Sequence, residues 1–248
     1  TQGGMTLPRL EVVVAQTLKI HGVGGKKITV KLGQLDGGPS KPLNVTLADA
    51  RLELPSLKAL AVDAKNGELK TGALSAQSLS FNGGKLDVHT VQAFADVTLS
   101  GANVTTIEQD LMEVGGKLQL LDTAALWHAT PLAHKTGEAP NIRRLKLSAS
   151  WLTVAKGAAI RSDFRGYRKG AVPKGTAIAA TGWSYTGGSH GGLGSLGSGK
   201  APLPAYDRVE APSMPGYAPY SRALGRGVID ISVTTTLRLD GKITANAQ

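Results

Sequence analysis

The sequence predicts an all-β chain, a right-handed parallel β-helix (β-solenoid) with a long Gly/Pro-rich loop. Three observations carry this expectation. Short apolar-x-apolar triplets return at intervals of about six to eleven residues, the alternation expected of half-buried strands. Turn formers stand between them, and the same pattern resumes at once after a long Gly-rich excursion over residues 166–227, as when a loop is extruded from one coil. Hairpins also need turns at this rate, so a sandwich or barrel is the competing arrangement.

Residues 1–121 read as a first set of coils. Their triplets include Leu79-Ser80-Phe81, Leu86-Asp87-Val88, Val97-Thr98-Leu99 and Leu118-Gln119-Leu120. Asn82-Gly83-Gly84 and Ser100-Gly101 supply residues that accept the positive φ of a sharp corner. One short helix is expected where Thr105-Thr106-Ile107-Glu108 opens like a capping box and Ile107, Leu111 and Val114 mark a face ending at Gly115-Gly116. Residues 122–142, with Trp127, His128, His134 and little alternation, read as a junction or insertion.

Residues 143–248 return to coils. Leu145-Lys146-Leu147 and Leu152-Thr153-Val154 precede the loop; Ile229-Asp230-Ile231 and Leu237-Arg238-Leu239 follow it, with Leu237 expected to point inward. The last triplets carry no polar lid, which predicts that the coils continue in a longer protein or that the end packs against another subunit.

Composition narrows the chemistry. Of 248 residues 32 are glycine, hydrophobic residues make up 41% and aromatic residues 4%, so the core must be built from small and aliphatic side chains. The absence of cysteine excludes disulfides and thiolate metal sites. No apolar run is long enough for a membrane span, and Thr1-Gln2-Gly3-Gly4-Met5 does not read as an export signal. The net charge of +10 favours anionic partners such as an acidic polysaccharide. Because the Lys and Arg residues are scattered and not interleaved with aromatics, the pattern speaks against a nucleic-acid platform.

Residues from Leu152 to Gln248 resemble a Gly-rich β-helix unit of very large bacterial surface and exported proteins. The resemblance is carried by Leu152-Thr153-Val154-Ala155-Lys156-Gly157-Ala158-Ala159-Ile160, by Tyr185-Thr186-Gly187-Gly188-Ser189-His190-Gly191-Gly192, and by the closing Leu237-Arg238-Leu239-Asp240-Gly241-Lys242-Ile243-Thr244-Ala245-Asn246. It implies a right-handed β-helix outside the cell or at its surface, and it transfers no catalytic residue. Arg168-Lys169 and Pro215-Gly216-Tyr217-Ala218-Pro219 depart from the unit's Gly-rich runs.

Four residues form the expected binding surface: Trp183, Tyr185, His190 and Tyr206. The loop also holds Tyr167, Tyr217 and Tyr220, and aromatic faces with polar tips suit a sugar ring or a wet interface; packing of the loop on the coil beneath is the plainer reading. The glycines around His190 could surround an anion, but no phosphate-loop Lys-Ser/Thr follows.

A polysaccharide-active enzyme would need converging acids. Asp87 with His89, Asp163 with Arg161 and Arg165, and Asp207 and Glu210 are the groups to watch, although such patterns arise routinely on solvated strands. His128 and His134 match no common zinc spacing, and neither metal nor cofactor is expected. Asn44-Val45-Thr46 and Asn103-Val104-Thr105 fit the glycosylation triplet. The sequence thus predicts a non-catalytic extracellular structural or adhesive module that binds a cell-surface glycan or associates end to end. A filament or shell subunit and a β-helix enzyme are the alternatives.

Overall fold

The computed structural model describes residues 5–7, 17–22, 27–33, 35–36, 43–129, 144–166 and 227–246. Among them are fifteen strands in one sheet and no helix. The first five are β1 (Met5–Leu7), β2 (Thr17–His21), β3 (Ile28–Leu32), β4 (Leu35–Asp36) and β5 (Asn44–Ala48). The long central strands are β6 (Ala50–Lys65), β7 (Glu68–Asn82), β8 (Lys85–Ala93), β9 (Val97–Ser100) and β10 (Val104–Leu120). They are followed by β11 (Ala125–His128), β12 (Leu145–Val154), β13 (Ala159–Arg161), β14 (Ile229–Leu239) and β15 (Lys242–Thr244).

The chain divides into two compact units. The first comprises Thr1–Trp127, Lys146–Ile160 and Ile231–Ile243; the second comprises His128–Leu145, Arg161–Asp230 and Thr244–Gln248.

In the first unit β6 pairs with β7, β7 with β8, β8 with β10 and β10 with β12, always in parallel. Consecutive strands of a hairpin would be antiparallel, so the competing sandwich and barrel do not describe these strands. Three rows of inward residues run across the pairs. Leu52 lies opposite Leu69, then Leu86, then Thr105. Leu57 lies opposite Leu74, Val91, Met112 and Leu147 in turn. Val45 begins the third row, followed by Val62, Leu79, Val97, Leu118 and Leu152. All these side chains are buried. The result is a parallel sheet of many strands, compatible with a β-solenoid.

The turns between rows are built into the spacing. In β6 the buried positions are Ala50, Leu52, Leu54, Leu57, Ala59, Val62 and Ala64, so from Leu52 onward steps of two alternate with steps of three. Each step of three resets the inward face, as at Pro55-Ser56, and the chain bends there without leaving the sheet. Sharper corners follow the third row. Asp49, Asn66, Gly83, Gly101, Asp122 and Gly157 all have positive φ, between 48° and 97°. Asp and Asn tolerate this region better than other side chains, and glycine best. Their amides link one corner to the next, as Asn66 N–H donates to Asn82 O at 2.9 Å and Gly83 N–H to Ser100 O at 2.9 Å. At Gly101 a Cβ would also come within 2.8 Å of Asn82 Oδ1.

Two expectations are corrected. The segment holding Ile107, Leu111 and Val114 is strand, part of β10, because it pairs on both sides, with β8 and with β12; these backbone partners outweigh a helical spacing. Leu237 is not buried: it is 52% exposed and Leu239 47%. Asp240 N–H donates to Val154 O just as Ala155 N–H donates to Leu120 O, where Leu120 lies opposite Val154. Leu239 therefore continues the inward row past Val154, and Leu237 continues it past Leu152, but neither is covered. Within residues 122–142 the described part forms β11, and residues 130–143 lie outside the described residues, as do residues 167–226 of the long loop.

Candidate functional site

The outward face of β3, β6, β7 and β8 carries two charged rows. In one, Arg51 lies opposite Glu68, and Glu68 opposite Lys85; in the other, Lys31 is followed by Glu53, Lys70 and Asp87. Sign therefore alternates from strand to strand and also along β6, β7 and β8. Arg51 Nε reaches Glu53 at 2.6 Å and Arg51 Nη1 reaches Glu68 at 3.4 Å. Lys27 Nζ lies 2.6 Å from Glu68, Lys31 3.5 Å from Glu53, and Lys85 2.7 Å from Asp87. The hydrogen bond from Lys27 holds the Glu68 carboxyl below the ordinary glutamate range; partial burial opposes this, and the charges of Lys27, Arg51 and Lys85 reinforce it.

Where this face turns the corner at Pro55 and Gly72, a shallow groove of about 330 Å³ opens, lined by Lys31, Glu53, Lys70, Asp87 and His89. The structure thus brings Asp87 and His89 to one groove, as their alternation predicted. Asp87 is already engaged by Lys85, and Glu53 by Arg51 and Lys31. Both carboxylates are thus held in ion pairs across the outward face.

The second unit holds Asp163 in a different setting. This side chain is buried, with Oδ2 accepting from Thr244 Oγ1 at 2.7 Å and Oδ1 from Asn246 N–H at 2.6 Å. The backbone continues the same clasp, since Ser162 N–H donates to Thr244 O and Phe164 N–H to Asn246 O. Arg165 Nε–H donates to His128 O at 2.8 Å; burial lowers the pKa of its guanidinium from the usual value while Asp163 opposes the shift. Both oxygens of Asp163 are thus occupied in tying residues 244–246 to the turn after β13. That is a positioning contact for backbone.

The four residues expected to bind a ligand, Trp183, Tyr185, His190 and Tyr206, lie outside the described residues, as do Asp207 and Glu210. Asn103 is wholly buried; its Nδ2 donates to Gly83 O at 3.3 Å and its Oδ1 accepts from Thr105 Oγ1 at 2.7 Å. That amide is a buried corner support and not an accessible glycan acceptor. Among the described residues no three His, Asp or Glu side chains come together to hold a metal ion, and no helix is long and apolar enough to cross a membrane.

Sequence reasoning missed the charged rows. Their signal was present, since Arg51, Glu68 and Lys85, like Glu53, Lys70 and Asp87, recur every 17 residues with alternating sign. Comparison with family models, with curated proteins and with solved structures finds no match.

Proposed function

We propose that this chain is a right-handed parallel β-solenoid serving outside the cell or at its surface as a non-catalytic structural and adhesive module within a larger surface protein or assembly. The carrying observation is the repetition of one parallel register across three inward rows, from Val45 to Leu152 in the longest. A chain that returns in parallel to its own sheet does so with right-handed crossovers, which supports the hand. The resemblance of residues 152–248 to surface β-helix units supports the location. The acid candidate Asp87 is spent on an ion pair, and Asp163 on the Thr244 hydroxyl and the Asn246 amide, which supports a scaffold over an enzyme. The loop aromatics Trp183 and Tyr185 and the net charge of +10 favour a cell-surface or acidic glycan as partner.

The absence of cysteine makes a direct test available. Ser80 and Thr98 are neighbours on the outward face, and Thr153 lies on the same row beyond Gln119. Adjacent strands about 4.8 Å apart place paired Cα atoms within disulfide reach. Oxidised S80C/T98C should cross-link within the monomer, and S80C/T153C should not. The reverse result removes the coil model. On a glycan array, binding unaffected by W183A/Y185A removes the loop as the adhesive element.

A second reading, a self-assembling filament or shell subunit, is favoured by the uncovered Leu237 and Leu239.

A further inference from the structure

The groove at the Pro55 corner lies on a face that carries more cations than acids. Lys27, Lys31, Arg51, Lys70 and Lys85 stand there against Glu53, Glu68 and Asp87. Register sets Lys70 between Glu53 and Asp87, where an ion pair would be expected. Both carboxylates turn instead to other cations: Glu53 to Arg51 at 2.6 Å and to Lys31 at 3.5 Å, and Asp87 to Lys85 at 2.7 Å. Lys70 is exposed and makes no ion pair among the described residues.

Beside Lys70 the floor of the groove is bare. Leu54 lies opposite Thr71 and Ser56 opposite Ala73, so Gly72 faces Pro55; Thr71 opposite Val88 and Ala73 opposite Thr90 set it facing His89 on the other side. A Cβ at Gly72 would come within 2.6 Å of Pro55 O, so the position excludes a side chain, and His89 Nδ1 stands 3.8 Å from that same point. Pro55 and His89 are both exposed and line the groove with Gly72. Lys70 and Gly72, two residues apart on β7, share its outward face and lie about 6.6 Å apart.

We propose that this groove binds a uronic acid residue of an acidic polysaccharide, with the sugar ring over Gly72 between Pro55 and His89 and its carboxylate on Lys70 Nζ. Three features select this occupant. Backbone without side chains leaves room for the flat body of a pyranose ring. The groove's one cation without a carboxylate partner among the described residues lies within the span of a ring and its carboxylate, and a charged hydrogen bond is the strong kind. The surplus of positive charge draws in a polyanion and gives no such attraction to a neutral or cationic chain. The site rests on the adhesive reading with its acidic glycan partner, but it is independent of the loop aromatics.

Calorimetric titration of the full chain with tetragalacturonate, with its methyl ester and with a sulfated oligosaccharide free of carboxylate tests the site. Tetragalacturonate should bind, and the methyl ester about tenfold more weakly or worse, because a charged hydrogen bond is lost. Affinity should fall as salt rises. K70Q should lower affinity for tetragalacturonate about tenfold. Lys58 is the control: it too is exposed and without an ion pair among the described residues, but it lines a separate groove beyond the Pro55 bend, with Ser56, Ser75 and Gln92. K58Q removes the same charge and should leave affinity within about twofold. Circular dichroism and melting of K70Q should match those of the parent, since no ion pair is lost. Equal losses in K58Q and K70Q overturn the site, because net charge alone would then account for binding. A methyl ester that binds as well as the acid overturns it, as does binding of the sulfated chain alone. Binding lost in W183A/Y185A but kept in K70Q also overturns it, and leaves the adhesive reading standing with the loop as its element. A parent chain that binds no glycan, acidic or neutral, removes the adhesive reading itself. The S80C/T98C cross-link reports separately on the coils.

Discussion

Leu99 and Leu237 are the same residue type on the same kind of triplet, and their environments differ completely. Leu99 lies in the row beside the third, fully buried between Phe81 and Leu120. Truncation there removes apolar contact and leaves a cavity, whereas Leu237 has half its surface in water. Leu99→Ala should therefore cost about 2–5 kcal/mol, and Leu237→Ala should stay within about 0.5 kcal/mol. Urea unfolding of the two variants checks the difference, and equal losses would contradict the assigned layers. Sequence reading identified both triplets as strand and expected both to be buried. It could not tell which had a neighbour on each side, because coverage is a property of layers far apart in the chain. Phe94 and Trp151 left no signal for a similar reason. Both sit at corners, outside the alternation, and both are exposed.

At the scale of the strands, the charged rows add a constraint that hydrophobic patterning cannot provide. A slip of one residue would turn the buried row outward, but a slip of two preserves side-chain parity within each straight stretch between the steps of three. Such a slip between β6 and β7 would set Arg51 against Lys70, and between β7 and β8 it would set Glu68 against Asp87. Like charges opposed across strands are destabilising. The alternating rows thus select the observed register, although each exposed pair contributes only about 0.2–1 kcal/mol. Glu68 is the centre of this network, held by Lys27 and Arg51. Its folded-state pKa is depressed, so its contribution is present above the unfolded glutamate value of about 4.3 and is lost as pH falls through the lower folded value. Glu68→Gln should lower the melting temperature at neutral pH, with the gap to the parent closing as the pH is taken below about 4. A gap independent of pH would show that the carboxylate charge is not what matters.

On the proposed solenoid reading, parallel stacking makes stability cooperative between neighbouring layers and leaves the fate of an uncovered layer to association. The filament reading predicts that sedimentation over a dilution series shows assemblies that dissociate on dilution, and that L237D/L239D abolishes them without loss of β-structure. A parent that stays monomeric at every concentration removes that reading. The sequence by itself determined an almost wholly β reading, where many triplets fall, and that Gly83 and Gly101 turn corners, because these depend on side-chain parity and local φ. The step of two and three in Leu52, Leu54, Leu57, Ala59, Val62 and Ala64 was also legible, and it encodes the bends. Tertiary structure alone decided between parallel pairs and hairpins, that Ile107 to Val114 is strand, and that Asp163 clasps residues 244–246. Each of these depends on which distant segment lies alongside, and backbone hydrogen bonds between layers set that pairing where local periodicity leaves it open.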